Sequence, residues 1–192
     1  MGFLGPGPVE AHIGHSLGFA EAWARSGPGG PPERAGDLGS GGGVPALVLA
    51  TVWPGTTLYL IESMQRRAAF LRRAIETLNL EHADVIQERA EEVGRHPQFR
   101  GTFNLVTARG FGPPAVTAEC AAPLLRVGGL LVVSDPPTDQ ERRWHTKVLD
   151  ALGLRLLRVE QTSPRYSTME QVEACPAGFP RRPGMPQKRP LG

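Results

Sequence analysis

Seven consecutive residues, Asp37-Leu38-Gly39-Ser40-Gly41-Gly42-Gly43, combine an acid with a glycine loop. A second acid, Glu62, closes the apolar run Leu58-Tyr59-Leu60-Ile61. Acids and a glycine loop at the carboxyl ends of two parallel strands make a pocket for an adenosine-containing cofactor. A nicotinamide dinucleotide and S-adenosylmethionine both fit that description. The dinucleotide fingerprint G-x-G-x-x-G seats a pyrophosphate against a helix N-terminus. Gly39 and Gly41 meet its first two positions, but the third falls on Val44. Asp37, two residues before the first glycine, repels a pyrophosphate and suits the ammonium end of a methionine. Glu62, 25 residues beyond Asp37, stands where an acid accepts both ribose hydroxyls. These residues favour S-adenosylmethionine. The alternative is a plain turn in a chain that holds 24 glycines.

His12 and His15 invite a metal or proton-relay reading. No cysteine lies near them and no third ligand follows at a metal-binding spacing, so no metal is expected. His12 reads instead as a packing or hydrogen-bonding residue beside the pocket. Cys120 and Cys175 form no ligand spacing either, and two thiols in a chain of this size point to a reducing cytoplasm.

The elements that must carry these residues alternate. A helix is expected from Val9 to Trp23, then a Gly/Pro loop over Ser26 to Pro32. A strand should lead into Asp37, although Arg34-Ala35-Gly36 is poor strand sequence. Pro45 to Thr51 reads as a helix with proline in its first turn, and Gln65 to Leu78 as a helix with Ala69, Phe70, Ala74 and Leu78 at helical spacing. Further strands are expected at Ala83 to Gln87, Phe103 to Thr107, Leu130 to Ser134 and Leu154 to Val159, with helices at Pro114 to Leu125 and Asp139 to Leu152. Strands alternating with helices predict an α/β fold, a mostly parallel, doubly wound, Rossmann-like sheet. The tail from Pro176 reads as irregular.

The 192 residues suit one domain: a short N-terminal helix and loop over 1–32, a catalytic core over 33–175 and a basic, proline-rich tail over 176–192. No run approaches the length of a membrane helix. The net charge of +2 hides an asymmetry, because residues 180–192 hold Arg181, Arg182, Lys188 and Arg189 and no acid. Four cations there could contact phosphates; a solvated chain end explains them as well.

Four blocks together resemble the RsmG (GidB) family, whose members methylate N7 of a guanosine in small-subunit ribosomal RNA. They are Asp-Leu-Gly-Ser-Gly-Gly-Gly-Val-Pro at 37–45, Leu60-Ile61-Glu62-Ser63 with Arg66-Arg67 and Phe70-Leu71-Arg72, Arg89-Ala90-Glu91, and the tail from Phe179 to Pro190. The resemblance implies a class I S-adenosylmethionine-dependent methyltransferase. Asp37, Gly39, Ser40, Gly41 and Gly43 would shape the methionine and ribose part of the pocket, with Glu62 and Ser63 at the ribose and Ala90 and Glu91 beside the adenine. Arg109 would sit near the methyl-transfer centre as the first catalytic candidate, also facing the cofactor, and Arg89 would be the second. His12, Arg165, Arg181, Arg182, Lys188 and Arg189 would face the RNA. The implied partner is 16S ribosomal RNA or the small ribosomal subunit, met by a cytoplasmic, monomeric enzyme with no membrane contact. The family usually has a lysine-glycine pair after the fifth strand, where this chain has Ser134-Asp135.

Guanine N7 carries a lone pair and no proton, so its methylation needs alignment rather than a general base. An arginine at the site could donate to guanine O6, and Phe111 could stack on a flipped base or anchor its loop. Two other functions stay open on the sequence: a small-molecule methyltransferase of the same fold, and a non-catalytic cofactor- or RNA-binding module.

Overall fold

A computed structural model describes residues 4–136, 143–160 and 163–192. Helix α1 (Val9–Ser26) leads into strand β1 (Arg34–Leu38), followed by α2 (Ala46–Val52), β2 (Thr57–Ile61), α3 (Gln65–Thr77), β3 (Ala83–Ile86) and α4 (Ala90–Val93). The second half runs β4 (Phe103–Arg109), α5 (Pro114–Ala121), β5 (Leu125–Asp135), α6 (Thr146–Ala151), β6 (Leu154–Val159), β7 (Arg165–Gln171) and α7 (Met185–Lys188). The sheet order is β3-β2-β1-β4-β5-β7-β6. The first five strands in that order are parallel, and β7 runs antiparallel to both β5 and β6. This is the mostly parallel, doubly wound sheet that the alternation predicts.

Strand alternation divides the core between the two faces of the sheet. Leu130 and Val132 join Phe19, Trp23, Leu49 and Leu71 under α1, α2 and α3. Leu131 and Val133, their immediate neighbours, join Val116, Leu149 and Leu152 under α5 and α6. Each continuous apolar run therefore reads as a strand buried on both sides.

The strand expected before Asp37 forms despite its poor sequence, while β7 and α7 depart from the sequence reading. β1 is built from Arg34-Ala35-Gly36-Asp37-Leu38 because it lies between β2 and β4, paired on both edges. Asn104 Oδ1 also accepts the Arg34 backbone N–H at 3.0 Å. β7 has no apolar alternation, since Ser167, Thr168 and Gln171 are all fully buried. Hydrogen bonds offset the burial of two of them: Ser167 Oγ donates to Asp135 Oδ2 at 2.5 Å, and Gln171 Nε2 donates to the carbonyls of Leu152 and Glu173, both at 2.7 Å, while Thr168 Oγ1 has no partner among the described residues. The tail, read as irregular, closes into the single turn of α7. The expected helix from Asp139 to Leu152 is seen over Thr146–Ala151; its start lies partly outside the described residues. Among the described residues no helix is long and apolar enough to cross a membrane.

Candidate functional site

The parallel strands end in register at one edge of the sheet: Leu38 pairs with Ile61 and with Ala108, and Arg109 with Ser134. The strand order reverses between β1 and β4, which is where ligands sit in open α/β sheets. Asp37, Glu62, Arg89 to Glu91 and Arg109 all come from segments that end or follow these strands.

The glycine loop is held by backbone and by Glu62. Gly39 N–H donates to Ile61 O at 2.8 Å, and Gly43 N–H to Ser40 O at 2.7 Å. Gly39 and Gly43 have φ of 66° and 87°, a region costly for any side chain. A β-carbon at Gly39 would also lie 2.9 Å from Phe111, and one at Gly43 only 2.3 Å from Leu47 Cδ1. Both positions thus expose bare backbone. The two oxygens of Glu62 take the N–H groups of Gly41 at 3.0 Å and Met64 at 2.8 Å. Each keeps a lone pair for a ligand. Ser40 Oγ donates back to Asp37 O at 3.1 Å.

Asp37 is the loop's buried charge. Its Oδ1 accepts from Thr107 Oγ1 at 2.8 Å, while its buried Oδ2 has no partner among the described residues. Burial pushes its carboxyl up to about 7, opposed by the hydrogen bonds from Thr107 and Ser40 and by the charge of Arg109. A ligand ammonium would satisfy the orphaned oxygen and favour the ionised form, so the residues fit the cofactor their sequence implies. The raised value also predicts a stability profile. The folded state holds a proton that the unfolded chain releases near 4, so this contribution is full below pH 4 and is lost as pH rises through 7. Urea unfolding between pH 4 and 8 should therefore show a fall in stability that Asp37→Asn flattens; parallel profiles for the two proteins would contradict it.

Arg109, at the end of β4, joins this loop to α1. Its Nη2 donates to His12 Nδ1 at 2.9 Å, and His12 Nε2 donates to Gly5 O at 3.1 Å, which together set the tautomer. Arg109 Nη1 is buried with no partner among the described residues. His15 sits beside it, its Nε2 2.6 Å from Ser134 Oγ. Burial first, then the charges of Arg109 and His12, hold His15 down to about 4, so it is neutral at physiological pH. Tyr166 of β7 donates to His15 O at 2.5 Å and lies edge-on to its ring.

Beyond the loop, a cleft of about 240 Å³ opens between Ser63, Arg89-Ala90-Glu91, Phe111 with Val116 and Cys120, and Gln187. Glu91 Oε1 accepts from Gly184 N–H at 2.8 Å and from Arg89 Nη2 at 3.2 Å. Burial works to raise its carboxyl, but these hydrogen bonds and the Arg89 charge hold it below the ordinary value.

The basic candidates of the tail separate. Arg181 turns inward: its backbone N–H, Nε and Nη2 all reach the carboxylate of Glu119, at 2.9, 2.8 and 2.6 Å, and Glu119 is fully buried. Arg182, Lys188 and Arg189 are exposed. Arg165 begins β7 opposite Asp135. Asp135 is itself buried, bonded to Ser167 and 3.5 Å from Arg143 Nε. Sequence reasoning gave no role to Thr107, Tyr166, Val116, Cys120 or Gln187. Gln187 stood inside the quoted tail block with no role assigned to it, because only the fold brings the tail to the cleft. Among the described residues no group of three or more His, Cys, Asp or Glu side chains could hold a metal ion.

Comparison with known proteins agrees with this geometry. The chain is 36% identical over 166 residues to ribosomal RNA small subunit methyltransferase G of Carboxydothermus hydrogenoformans, covering 81% of this chain and 69% of that protein. It is 36% identical over 193 residues to the protein of the same name from Roseiflexus sp., covering 96% and 80%. A crystal structure of a SAM dependent methyltransferase from Aquifex aeolicus superposes with a TM-score of 0.61 over 85% of this chain and 92% of that one; at 13% identity it speaks for the fold alone. The model of the GidB family, rRNA small subunit methyltransferase G, matches residues 9–163. The glycine loop, Glu62, Glu91 and Arg109 all lie inside that match, and the chain belongs to the GidB family.

Proposed function

We propose that this chain transfers a methyl group from S-adenosylmethionine to N7 of a guanosine in 16S ribosomal RNA. The observation that carries the reading is the pairing of two unfinished buried groups, Asp37 Oδ2 and Arg109 Nη1, at the switch point of the sheet. One asks for a cation and the other for an acceptor. The cofactor, when bound, supplies an electrophilic sulfonium methyl. Asp37 would hold its ammonium, Glu62 and Ser63 its ribose, and Ala90 and Glu91 its adenine, against the bare backbone of Gly39, Gly41 and Gly43.

What remains for the protein is alignment. Guanine N7 needs no deprotonation, and its neighbour O6 is an acceptor that an arginine donor matches. Arg109, steadied by His12, offers such a donor, and holding two reactants in line accounts for about 7–11 kcal/mol in favourable cases. Arg89, at the cleft rim, is the second basic group. Arg182, Lys188 and Arg189 would meet RNA phosphates. In domain terms, 33–175 forms the catalytic core and the tail closes its cleft.

The test is a methyl-transfer assay with labelled cofactor and small subunits from a strain that lacks the mark. The expected result is one methyl group per 16S RNA, mapped to guanine N7. No incorporation into either the particle or its naked RNA would sink the proposal.

A further inference from the structure

The tail enters the cleft through one side chain, and its chemistry is specific. Gln187 lines the cavity together with Ala90, Phe111 and Val116, whose apolar surfaces suit the flat faces of a purine. An adenine edge presents an amino donor next to a ring-nitrogen acceptor. A carboxamide presents the complement, an acceptor and a donor side by side, which is why Gln and Asn pair with adenine. Among the residues lining the cleft, Gln187 alone has that arrangement. Glu91 only accepts, and its Oε1 is already taken by Gly184 and Arg89. Arg89 only donates, and Ser63 has a single hydroxyl.

The position of Gln187 is built. Immediately before α7, the Gly184 N–H donates to the carboxylate of Glu91, itself part of the cleft wall, at 2.8 Å. Pro186 is buried, and the backbone of α7 is closed by Lys188 N–H to Gly184 O at 3.1 Å. Farther back, Arg181 is locked to Glu119 by three hydrogen bonds. Arg95 Nε donates to Pro180 O at 2.9 Å and Arg100 Nη1 to Phe179 O at 2.7 Å. Gly112 lies beside the carboxamide, its β-carbon position 3.8 Å from Gln187 Oε1, at ordinary contact distance. Among the described residues no hydrogen bond occupies the Gln187 side chain.

We infer that Gln187 reads the adenine edge of the cofactor, which makes the C-terminal tail part of the binding site; this rests on the cofactor reading proposed above. The carboxamide oxygen accepts from the 6-amino group and the amide N–H donates to the adjacent ring nitrogen.

Calorimetric titration of the whole chain with S-adenosylhomocysteine and with its analogue lacking the 6-amino group tests this without any turnover. In the wild type, loss of the amino group should weaken binding about three- to tenfold, the effect of one hydrogen bond. In Gln187→Ala the same change should cost less than about twofold, since the partner is already gone. Gln187 is exposed, so an unchanged thermal unfolding midpoint is expected and confirms that the variant is folded. Equal losses in the two proteins would overturn the inference while leaving the cofactor reading intact. Failure of the wild type to bind S-adenosylhomocysteine at all would remove the reading beneath it.

Discussion

Arg109→Ala will lower kcat for methyl transfer about 10²–10³-fold, the effect of removing one preorganised donor from a dry site. Cofactor affinity should change far less, because Asp37, Glu62 and the glycine loop remain. Arg109→Lys should recover little. One guanidinium nitrogen is engaged with His12 Nδ1 at 2.9 Å while the other is buried with no partner among the described residues; a lysine ammonium is a point charge that cannot span two such positions. A second signature separates this role from a structural one. The Arg109 charge helps keep the Asp37 carboxyl from rising further. Removing it should move the pH dependence of cofactor binding upward, measurable by titrating S-adenosylhomocysteine across pH 6 to 9. A variant with wild-type kcat, or with kcat and cofactor affinity lost together, would place Arg109 outside the transfer step.

The second large effect is on stability. Arg181→Ala removes both guanidinium donors from the fully buried carboxylate of Glu119 and leaves it only the backbone N–H. Removing one partner of a buried ion pair costs about 3–5 kcal/mol, because the remaining charge stays in low dielectric. Urea unfolding at neutral pH should register most of that loss. The double variant Arg181→Met/Glu119→Leu should regain much of it, since a well-packed apolar pair has no charge to desolvate. If the single variant loses under about 1 kcal/mol, Arg181 is an ordinary surface cation.

These two arginines show how far the sequence could be read. Arg109 was singled out through the family resemblance; its place just after the apolar run Phe103 to Thr107 agrees with where a doubly wound sheet puts its ligands but by itself equally describes a surface arginine at a strand end. Arg181 was legible only as charge. Its neighbours Arg182, Lys188 and Arg189 have the same local context and are exposed. What distinguishes it is Glu119, 62 residues away and buried on α5, and no local pattern announces a partner at that distance. Asp37 and Glu62 declared themselves through the glycines between them. Gln187 stood in the tail block but carried no role there. β7 was invisible for a related reason: it buries serine, threonine and glutamine, with Ser167 bonded to Asp135 and Gln171 to the carbonyls of Leu152 and Glu173, so the usual apolar signature of a buried strand is missing. Asp135, which stands where the family usually has a lysine-glycine pair, is held inside the seam between β5 and β7 by Ser167.

The weakness of β1 as strand sequence has its own consequence. Arg34-Ala35-Gly36-Asp37-Leu38 has little intrinsic tendency to extend and is ordered by β2 on one side and β4 on the other. The proposed cofactor loop is therefore anchored to a segment that has no structure of its own. In hydrogen exchange, the Gly39 and Ser40 amides, both bonded to Ile61 O, should open only with the sheet as a whole, at the free energy of global unfolding. Partly folded chains then have no affinity for the cofactor, and ligand binding reports a single cooperative event: a sheet that is complete across its centre.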